Sequence, residues 1–526
     1  MTKSGTRGFY FLNATQFLGA FNDNILKQLL VFGLAAGGVW GNQLGEGGQA
    51  WAQICLAIPF VLLSGFASQF SDKYSKRRVS IMAKWTEIPI ALFAMIGLWL
   101  GSLSIVMAAL FLIALQSTFF SPAKFGILPE IVPDEKLSQA NGTVNMFTWF
   151  AIILGIALSG PIYDGYSGDT STFSGHQVAM SINRMESPSN VLIATPKGDK
   201  DSEFVRKIEA NLAERHRVVG VVESGPQSVR PALDQANASG HPVNVIACTQ
   251  ESAKWEPVVQ SKADIVQPIR LLWLPGVVLL VVGALGTLCS HGISVVPAQN
   301  PKREISYWIF ESYQKTWSHF RGTTAMTALF AYAFFFMIVA GIAASVVVEY
   351  KVILEIDATQ TTYLFFVLAA LMGVGDYTAG VISRGRIWPE LLNFGNTGVA
   401  AAFLALAFIP ANFYLVALLL GVGGFMAGFV MVPLQTMVQY LAGDEQRGQF
   451  LGFWNCVSFT GLIIGAGLFM LMLQIEISFF GLSESRAATN VWVLCSLLTV
   501  VFQLLYFFRW RRPFAKAVDG VEVEGH

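Results

Sequence analysis

A polar stripe inside the apolar N-terminal segment contains the side chains best suited to bind or transfer charge. Gln16, Asp23 and Lys27 recur at helical spacing, and Asn22 and Asn24 flank the aspartate. A charged side chain at the centre of a bilayer costs about 2.5–3.5 kcal/mol, so these groups must face water or polar partners. The pattern predicts a cavity in which these five residues bind a polar or charged solute. Each residue turns the helix by about 100°, so Asn22 is the one expected to face a neighbouring helix instead. The alternative is an ion pair between Asp23 and Lys27 that only holds helices together.

Later apolar segments contribute further intramembrane polar residues. Asn145 and Asp376 are candidate substrate-binding residues, although Asp376 fits an interhelical hydrogen bond equally well. Asn455 is predicted to form an interhelical hydrogen bond of this kind. Asp23, Glu87 and Asp376 could instead include a proton carrier, because a buried carboxylate can exchange a proton near neutral pH.

The composition indicates a membrane protein that crosses the bilayer several times. Hydrophobic residues make up 54% of the 526 residues and charged residues only 13%, where soluble chains carry about 25% charged residues. The net charge of zero excludes a polybasic protein that binds nucleic acid. The five cysteines are far apart and form no CxxC or Cys/His cluster, so we expect no disulfide framework, metal or cofactor.

Twelve apolar stretches have the length of roughly 20 residues that is needed to cross a bilayer. They are 9–37, 50–70, 79–101, 104–126, 142–163, 269–296, 324–348, 361–383, 390–409, 412–436, 450–474 and 488–508. Lys and Arg concentrate in the segments on one side, which predicts that both termini are cytoplasmic. This orientation places Lys84 and Lys124 in cytoplasmic segments, and leaves only Lys351 and Arg486 in the short outer loops.

One polar segment, 164–268, interrupts the apolar pattern between spans 5 and 6. Its strand and helix patterns alternate, which predicts a small parallel α/β insert on the extracytoplasmic side. The predicted strands are Val191–Thr195, Arg217–Val222 and Val243–Ala247, and the predicted helices are Ser202–Glu214 and Val229–Ala238. The turns of the insert lack GxGxxG, P-loop and GxSxG motifs, so we interpret it as a cap or binding module.

The loop after span 2 joins Asp72 to the bases Lys73, Arg77 and Arg78. It resembles the acid–base loop of the major facilitator superfamily, and a weaker copy with Arg384 and Arg386 follows span 8, as a repeat of six helices requires. The resemblance implies that these six residues gate transport. It also implies an all-α fold with twelve spans in two six-helix halves. The predicted organisation is a membrane half at 1–163, the insert at 164–268, span 6 at 269–296, a cytoplasmic linker with an interfacial helix at 297–323, a second membrane half at 324–510 and a cytoplasmic tail at 511–526.

Longer strings resemble a narrower family, the bacterial lysophospholipid transporters. They are Thr15–Asn24, Phe120–Glu130, Ala140-Asn141-Gly142 and Val432-Pro433-Leu434-Gln435, supported by Asn300-Pro301 and Ser383–Ile387. Family members carry lysophospholipids inward across the bacterial inner membrane, where an acyltransferase reacylates them. The resemblance therefore implies a multi-pass transporter in the inner membrane, with the bilayer, a lysophospholipid and a separate acyltransferase as partners. We expect a monomer that is not an enzyme.

Three features depart from that family. Asn145 stands where the family commonly has Glu, the α/β insert is unusual, and no His precedes an Asp by five residues, so we expect no fused acyltransferase. Two other functions therefore remain open. The first is a proton-coupled exporter of small amphipathic solutes, and the second is a sensor or scaffold that uses the insert as a binding module.

The linker between the halves is predicted to contain an amphipathic helix. Ile305, Trp308, Ile309 and Trp317 lie near helical spacing, with charged residues between them. This pattern is typical of a helix that lies on the membrane surface.

Overall fold

We describe the fold from a computed structural model of the chain. The described residues are 3–34, 39–40, 43, 49–167, 190–195, 206, 209–210, 217–223, 243–249, 252–253, 271–354, 358–383, 386–410, 412–443 and 446–518. Within them, long apolar helices dominate, because a helix satisfies all of its backbone hydrogen bonds internally where no water is available.

Six helices of the first group lie before the linker. They are α1 (Lys3–Leu34), α2 (Gln49–Lys73), α3 (Lys76–Trp99), α4 (Leu103–Ile131), α5 (Asp134–Ser167) and α6 (Leu274–Ser290). Helix α1 packs on α4, α5 and α6, and α3 packs on α4 and α6. Buried aliphatic side chains such as Leu26, Leu30 and Leu110 form the core of this group. The polar stripe of α1 is therefore surrounded by helices of its own group.

The second group follows the linker helix α7 (Glu311–Phe320). Its elements are α8 (Thr324–Phe336), a π-helical stretch (Met337–Ala343), α9 (Ala344–Ile353), α10 (Ala358–Ile382), α11 (Leu391–Phe408), α12 (Phe413–Leu441), α13 (Arg447–Phe480), α14 (Glu484–Leu505), a second π-helical stretch (Tyr506–Trp510) and α15 (Arg511–Val518). Helix α12 packs on α8, α10 and α11 in the centre of a second apolar core. The two groups meet where α5 contacts α10 and α12, and where α2 and α4 contact α13.

Ten helical segments in the described part of the chain are long and apolar enough to cross a membrane. The protein is therefore a multi-pass membrane protein, as the composition predicts. The other two predicted spans correspond to α1 and α6. Helix α1 is long but not apolar enough to count among the ten, and α6 is apolar but has only 17 residues. The polar stripe lowers the hydropathy of α1, whereas α6 is shorter than the roughly 20 residues that span a bilayer.

The insert contains a small sheet with the strand order β2-β1-β3-β4. The strands are β1 (Asn190–Thr195), β2 (Arg217–Glu223), β3 (Val243–Thr249) and β4 (Ser252–Ala253). Strand β1 pairs in parallel with β2 and β3, as predicted, and β4 adds a short antiparallel pair at the end of β3. The predicted helix Val229–Ala238 lies outside the described residues, and of Ser202–Glu214 only 206 and 209–210 are described, all helical.

The predicted linker helix is shorter than its pattern indicated. It begins at Glu311, so Ile305, Trp308 and Ile309 precede it, and the prediction of one helix through all four apolar residues is wrong. Gln69 explains this difference, because its side chain bonds both the N–H and the carbonyl of Ser306 and fixes a non-helical backbone there.

Candidate substrate site

The polar residues of α1 diverge onto different partners. Gln16 Nε2 donates to Thr148 Oγ1 of α5 at 3.3 Å, and Asn24 Nδ2 donates to the carbonyl of Ala20 one turn earlier. Asn22 is fully buried and turns toward α3. The structure therefore does not bring the five predicted residues to a single point, and Asn24 forms its hydrogen bond within α1.

The expected ion pair between Asp23 and Lys27 does not form, so that alternative is wrong. No pair within 4.0 Å joins the two side chains, and Lys27 has no ion pair among the described residues. Asp23 instead accepts a hydrogen bond from Ser117 Oγ of α4 at 2.7 Å. The i,i+4 spacing permits an intrahelical pair, but a neighbouring helix offers the aspartate a closer donor.

A buried ion pair on α3 forms the centre of the site. Lys84 Nζ lies 2.6 Å from Glu87 Oε2, and both side chains are about 98–99% buried. Asn22 Nδ2 donates to the other carboxylate oxygen of Glu87 at 2.7 Å, which joins α1 to this pair. Residues of α1, α4 and α6 adjoin the ion pair, among them Phe120, whose ring centre lies 5.4 Å from Lys84 Nζ.

Lys84 was counted with a cytoplasmic segment, but it belongs to the interior of α3, where its side chain is buried. Lys124 was assigned in the same way, but it lies within α4 and is 7% exposed. A signal was present in the sequence: Lys84 and Glu87 are three residues apart inside an apolar run, the spacing of one helix face. This signal was overlooked because every lysine was counted as evidence for the orientation of the chain in the membrane.

Asp23, Lys84, Glu87 and Lys124 form one charged cluster in the first helix group. Asp23 is within electrostatic range of the other three side chains. Its Oδ1 atom is buried and has no hydrogen-bond partner among the described residues. A buried oxygen without a donor is energetically costly. We call these four residues the charged cluster.

Amide side chains connect the two helix groups. Asn141 of α5 donates to Gln439 Oε1 at 2.8 Å and accepts from Gln435 Nε2 at 3.1 Å, both on α12. The predicted site residue Asn145 donates to Gln435 Oε1 at 2.9 Å. Asn455 of α13 similarly donates to Ser121 of α4. In this state Asn145 therefore holds the two groups together.

Asp376 lies where the backbones of α5 and α10 pack closely together. Its Oδ2 accepts a hydrogen bond from Trp149 Nε1 at 3.1 Å, and its buried Oδ1 has no partner among the described residues. A Cβ atom on Gly142 would overlap the carbonyl oxygen of Asp376, so only glycine permits this approach. Asp376 is separate from the charged cluster, and it combines an interhelical hydrogen bond with one free carboxylate oxygen.

Asp72 connects the first group, the linker and the second group. Its Oδ2 accepts from Arg303 Nη1 at 2.9 Å, and its Oδ1 accepts from the backbone N–H of Gly448 at 2.8 Å. Gly448 lies in the first turn of α13, where free N–H groups and the helix dipole favour a carboxylate. Burial lowers the pKa of Arg303, although Asp72 opposes that shift. Asp72 thus forms a bridge that the loop pattern alone did not specify.

The other predicted gating residues have different roles. Lys73 lies over the Tyr74 ring, Arg77 donates to the carbonyl of His291, and Arg386 lies over Trp388 at 4.2 Å. Arg78 is exposed, and Arg384 lies outside the described residues. A residue missed by the sequence analysis, Lys76, pairs with Glu130 at 2.5 Å.

Replacing Asp72 with alanine should loosen the contact between α2 and α13. The change removes the acceptor for both Arg303 and Gly448, and a hydrogen bond to a charged group contributes about 1.5–3 kcal/mol. We expect alkylation of a cysteine placed at the buried Ser64 position, in a background without native cysteines, to accelerate about tenfold. Lys73→Gln, which removes a neighbouring charge without breaking the bridge, is the control. Equal rates in Asp72→Ala and the control would contradict the role of the bridge.

Comparisons with known proteins agree with this arrangement. A sequence model described as the Major Facilitator Superfamily matches residues 269–466. The structure of the transporter FucP in its outward conformation superposes with a TM-score of 0.57 at 14% identity, over 96% of this chain and 99% of that one. The human organic anion transporter MFSD10 gives a TM-score of 0.58 at 12% identity, over 95% and 99%. The chain has the major facilitator fold.

The narrower resemblance predicted from the longer strings is also confirmed. The lysophospholipid transporter LplT of Yersinia enterocolitica is 31% identical over 166 residues, which is 31% of this chain and 38% of that protein. LplT of Cronobacter sakazakii is 30% identical over 168 residues, with the same shares. The matched part thus spans about two fifths of the curated relatives.

The family-like strings supply polar contacts between helices. The Ala140-Asn141-Gly142 string meets Val432–Gln435 through the amides of Asn141 and Gln435. The Phe120–Glu130 string ends at Glu130, which accepts from Lys76, the first residue of α3. These contacts join different helices, so these strings help to position the helices of the fold.

Proposed function

We propose that this protein is a carrier that moves lysophospholipids inward across the bacterial inner membrane. The observation that carries the proposal is the charged cluster inside the first helix group, next to the α1 string that resembles lysophospholipid transporters. Buried charges are expensive in a membrane protein and mark solute pathways. Both signs occur in the cluster, which suits a headgroup that carries a phosphate and an ammonium group.

The cluster offers a specific division of roles. Lys84 and Lys124 supply cationic ammonium groups for the phosphate, and a lysine binds phosphate as a compact point charge. The free Oδ1 of Asp23 supplies an acceptor for an ammonium or hydroxyl group of the substrate. Lys27, which is half-buried and has no ion pair among the described residues, is a further phosphate ligand on the same helix.

The free carboxylate oxygens of Asp23 and Asp376 favour a second candidate, a proton-coupled exporter of small amphipathic solutes. Each carboxylate retains one hydrogen bond and has one oxygen available for a proton. Reconstituted proteoliposomes separate the two candidates. Uptake of labelled lysophospholipid without a pH gradient would support the first, whereas export of a small solute only with a gradient would support the second.

Asp23→Asn is expected to change headgroup preference while it preserves the fold. The Asn side-chain oxygen can still accept from Ser117, but the negative charge is lost. Uptake of a lysophospholipid with an ethanolamine headgroup should fall about tenfold, as expected from losing one charged contact, and a glycerol headgroup should be affected less. Asn24→Ala, which removes only a bond within α1, is the matched control. Equal losses for both headgroups would exclude an ammonium contact at Asp23.

The remaining assignments follow from the same proposal. Both termini lie in the cytoplasm, the α/β insert lies outside, and a separate acyltransferase consumes the delivered lysophospholipid. The transport cycle needs only one chain, because the bridge at Asp72 and the amide contacts of Asn141 join the two groups within one molecule.

A further inference from the structure

A large apolar groove lies on the outer side of the first helix group, between α2, α3 and α4. Its volume is about 660 Å³, and its lining is almost entirely apolar. Val79, Met82 and Ile90 line it from α3, while Leu115 and Phe119 line it from α4. Met82 is 61% exposed, which shows that the groove opens away from the helix group. In a membrane protein this side meets acyl chains.

The depth of the groove fits one leaflet of a bilayer. Its lining begins at Arg78, next to the turn between α2 and α3, and continues along α3 to Ile90. At 1.5 Å per residue this length is about 18 Å, close to half of the roughly 30 Å hydrocarbon core. One extended acyl chain can therefore lie along it from the interface to the centre of the membrane.

Arg78 places a cation at the interfacial end of the groove. The side chain is exposed and has no hydrogen bond or ion pair with any described residue. Its neighbour Arg77 differs, because it donates to the carbonyl of His291. A guanidinium binds a phosphate through two parallel hydrogen bonds and is suited to lipid headgroups at this level.

We propose that this groove binds one anionic phospholipid of the leaflet at the α2–α3 turn. The phosphate lies on Arg78, one acyl chain lies against the α3 and α4 walls, and the second chain remains in the bilayer. Apolar walls alone would accept any lipid chain, so the preference for a negative headgroup comes from Arg78.

This lipid site is distinct from the charged cluster, but it touches the same helix α4. Gln116 lines the groove, and its Oε1 lies 3.2 Å from the Ser117 hydroxyl, which donates to Asp23. A bound chain therefore packs against the helix that positions Asp23. The site stands whether or not the transported solute is a lysophospholipid, because binding is measured without transport.

The test measures lipid binding to the full-length protein by native mass spectrometry, with phosphatidylglycerol and phosphatidylcholine as probes. Arg78→Gln should weaken phosphatidylglycerol binding about tenfold and remove its preference over phosphatidylcholine. Thr86→Trp, which fills the middle of the groove, should weaken the binding of both lipids. Lys136→Gln removes an exposed charge near the start of α5, and Thr397→Trp adds an indole at an exposed threonine of α11; both controls should bind like the unmodified protein.

The two variants fail in different ways if the proposal is wrong. A preserved preference for phosphatidylglycerol in Arg78→Gln would overturn the headgroup contact. Unchanged binding of both lipids in Thr86→Trp would overturn the acyl-chain site. If Thr86→Trp does not fold, Arg78→Gln alone decides, because an exposed arginine can be replaced without disturbing the core.

Discussion

Replacing either Lys84 or Glu87 alone should inactivate the protein and lower its thermal stability. Each change leaves the partner as an unpaired charge that is almost fully buried, and breaking such a pair costs about 3–5 kcal/mol. The double variant Lys84→Met/Glu87→Gln leaves neither charge unpaired and should recover most of the melting temperature. If the pair also binds the headgroup, uptake of lysophospholipid should remain at least about tenfold below the unmodified protein. Melting in detergent and uptake into proteoliposomes measure the two effects separately.

An exposed ion pair on the linker provides the control for these single and double variants. Lys315 pairs with Glu311 at 2.5 Å, but the lysine side chain is 65% exposed. An exposed pair contributes about 0–1 kcal/mol, so Lys315→Met should change neither melting nor uptake measurably. Recovery of both stability and uptake in the double variant would show that Lys84 and Glu87 only hold helices together.

Gly142→Val is the second change from which we expect a large loss of transport. The new side chain would meet the backbone of Asp376 and Tyr377, and a backbone atom cannot move aside as a flexible side chain can. Forcing extra atoms into a packed contact costs about 1–3 kcal/mol, so α5 and α10 should separate and the observed state should be depopulated about tenfold or more. Uptake measurements and spin-label distances between α5 and α10 report the two consequences.

Gly160 supplies a matched control on the same helix. A Cβ atom there would meet nothing within 4 Å, so Gly160→Val should retain the spacing of the two helices and most of the uptake. Loss of uptake in both variants would indicate a general effect of valine in α5. Normal uptake in Gly142→Val would show that the approach at Asp376 is not required for the transport cycle.

The sequence by itself determined that this is a helical membrane protein, because long apolar segments can only satisfy their backbone in lipid as helices. The major facilitator fold followed from the resemblance of the loop after span 2 to that superfamily. The strand patterns of the insert were equally informative, because buried parallel strands such as β1 need short apolar runs. The family-like strings added the resemblance that the comparisons confirmed.

Residue partners on one helix were harder to predict. The Asn22 side chain was expected to face a neighbouring helix, and its bond to Glu87 confirms this. The helical angle of 100° per residue was sufficient for that prediction. The same periodicity suggested an ion pair between Asp23 and Lys27, which the structure does not contain. Helical spacing shows which side chains can reach each other, but not which of them form a contact.

Only the tertiary structure decided which charges belong to the candidate site. In the sequence, Lys124 is indistinguishable from an interfacial lysine, and only the spacing to Glu87 marks Lys84. A membrane helix can continue beyond the bilayer, and its ends then show no break in the pattern. Packing of α1 against α4 and α6 places Ser117 beside Asp23. It also lets Asn22 of α1 donate a hydrogen bond to Glu87 in the ion pair of α3. These contacts join residues far apart in the chain. Their geometry depends on the angle at which the helices cross and on how each helix is rotated about its axis, and the periodicity of a single helix specifies neither.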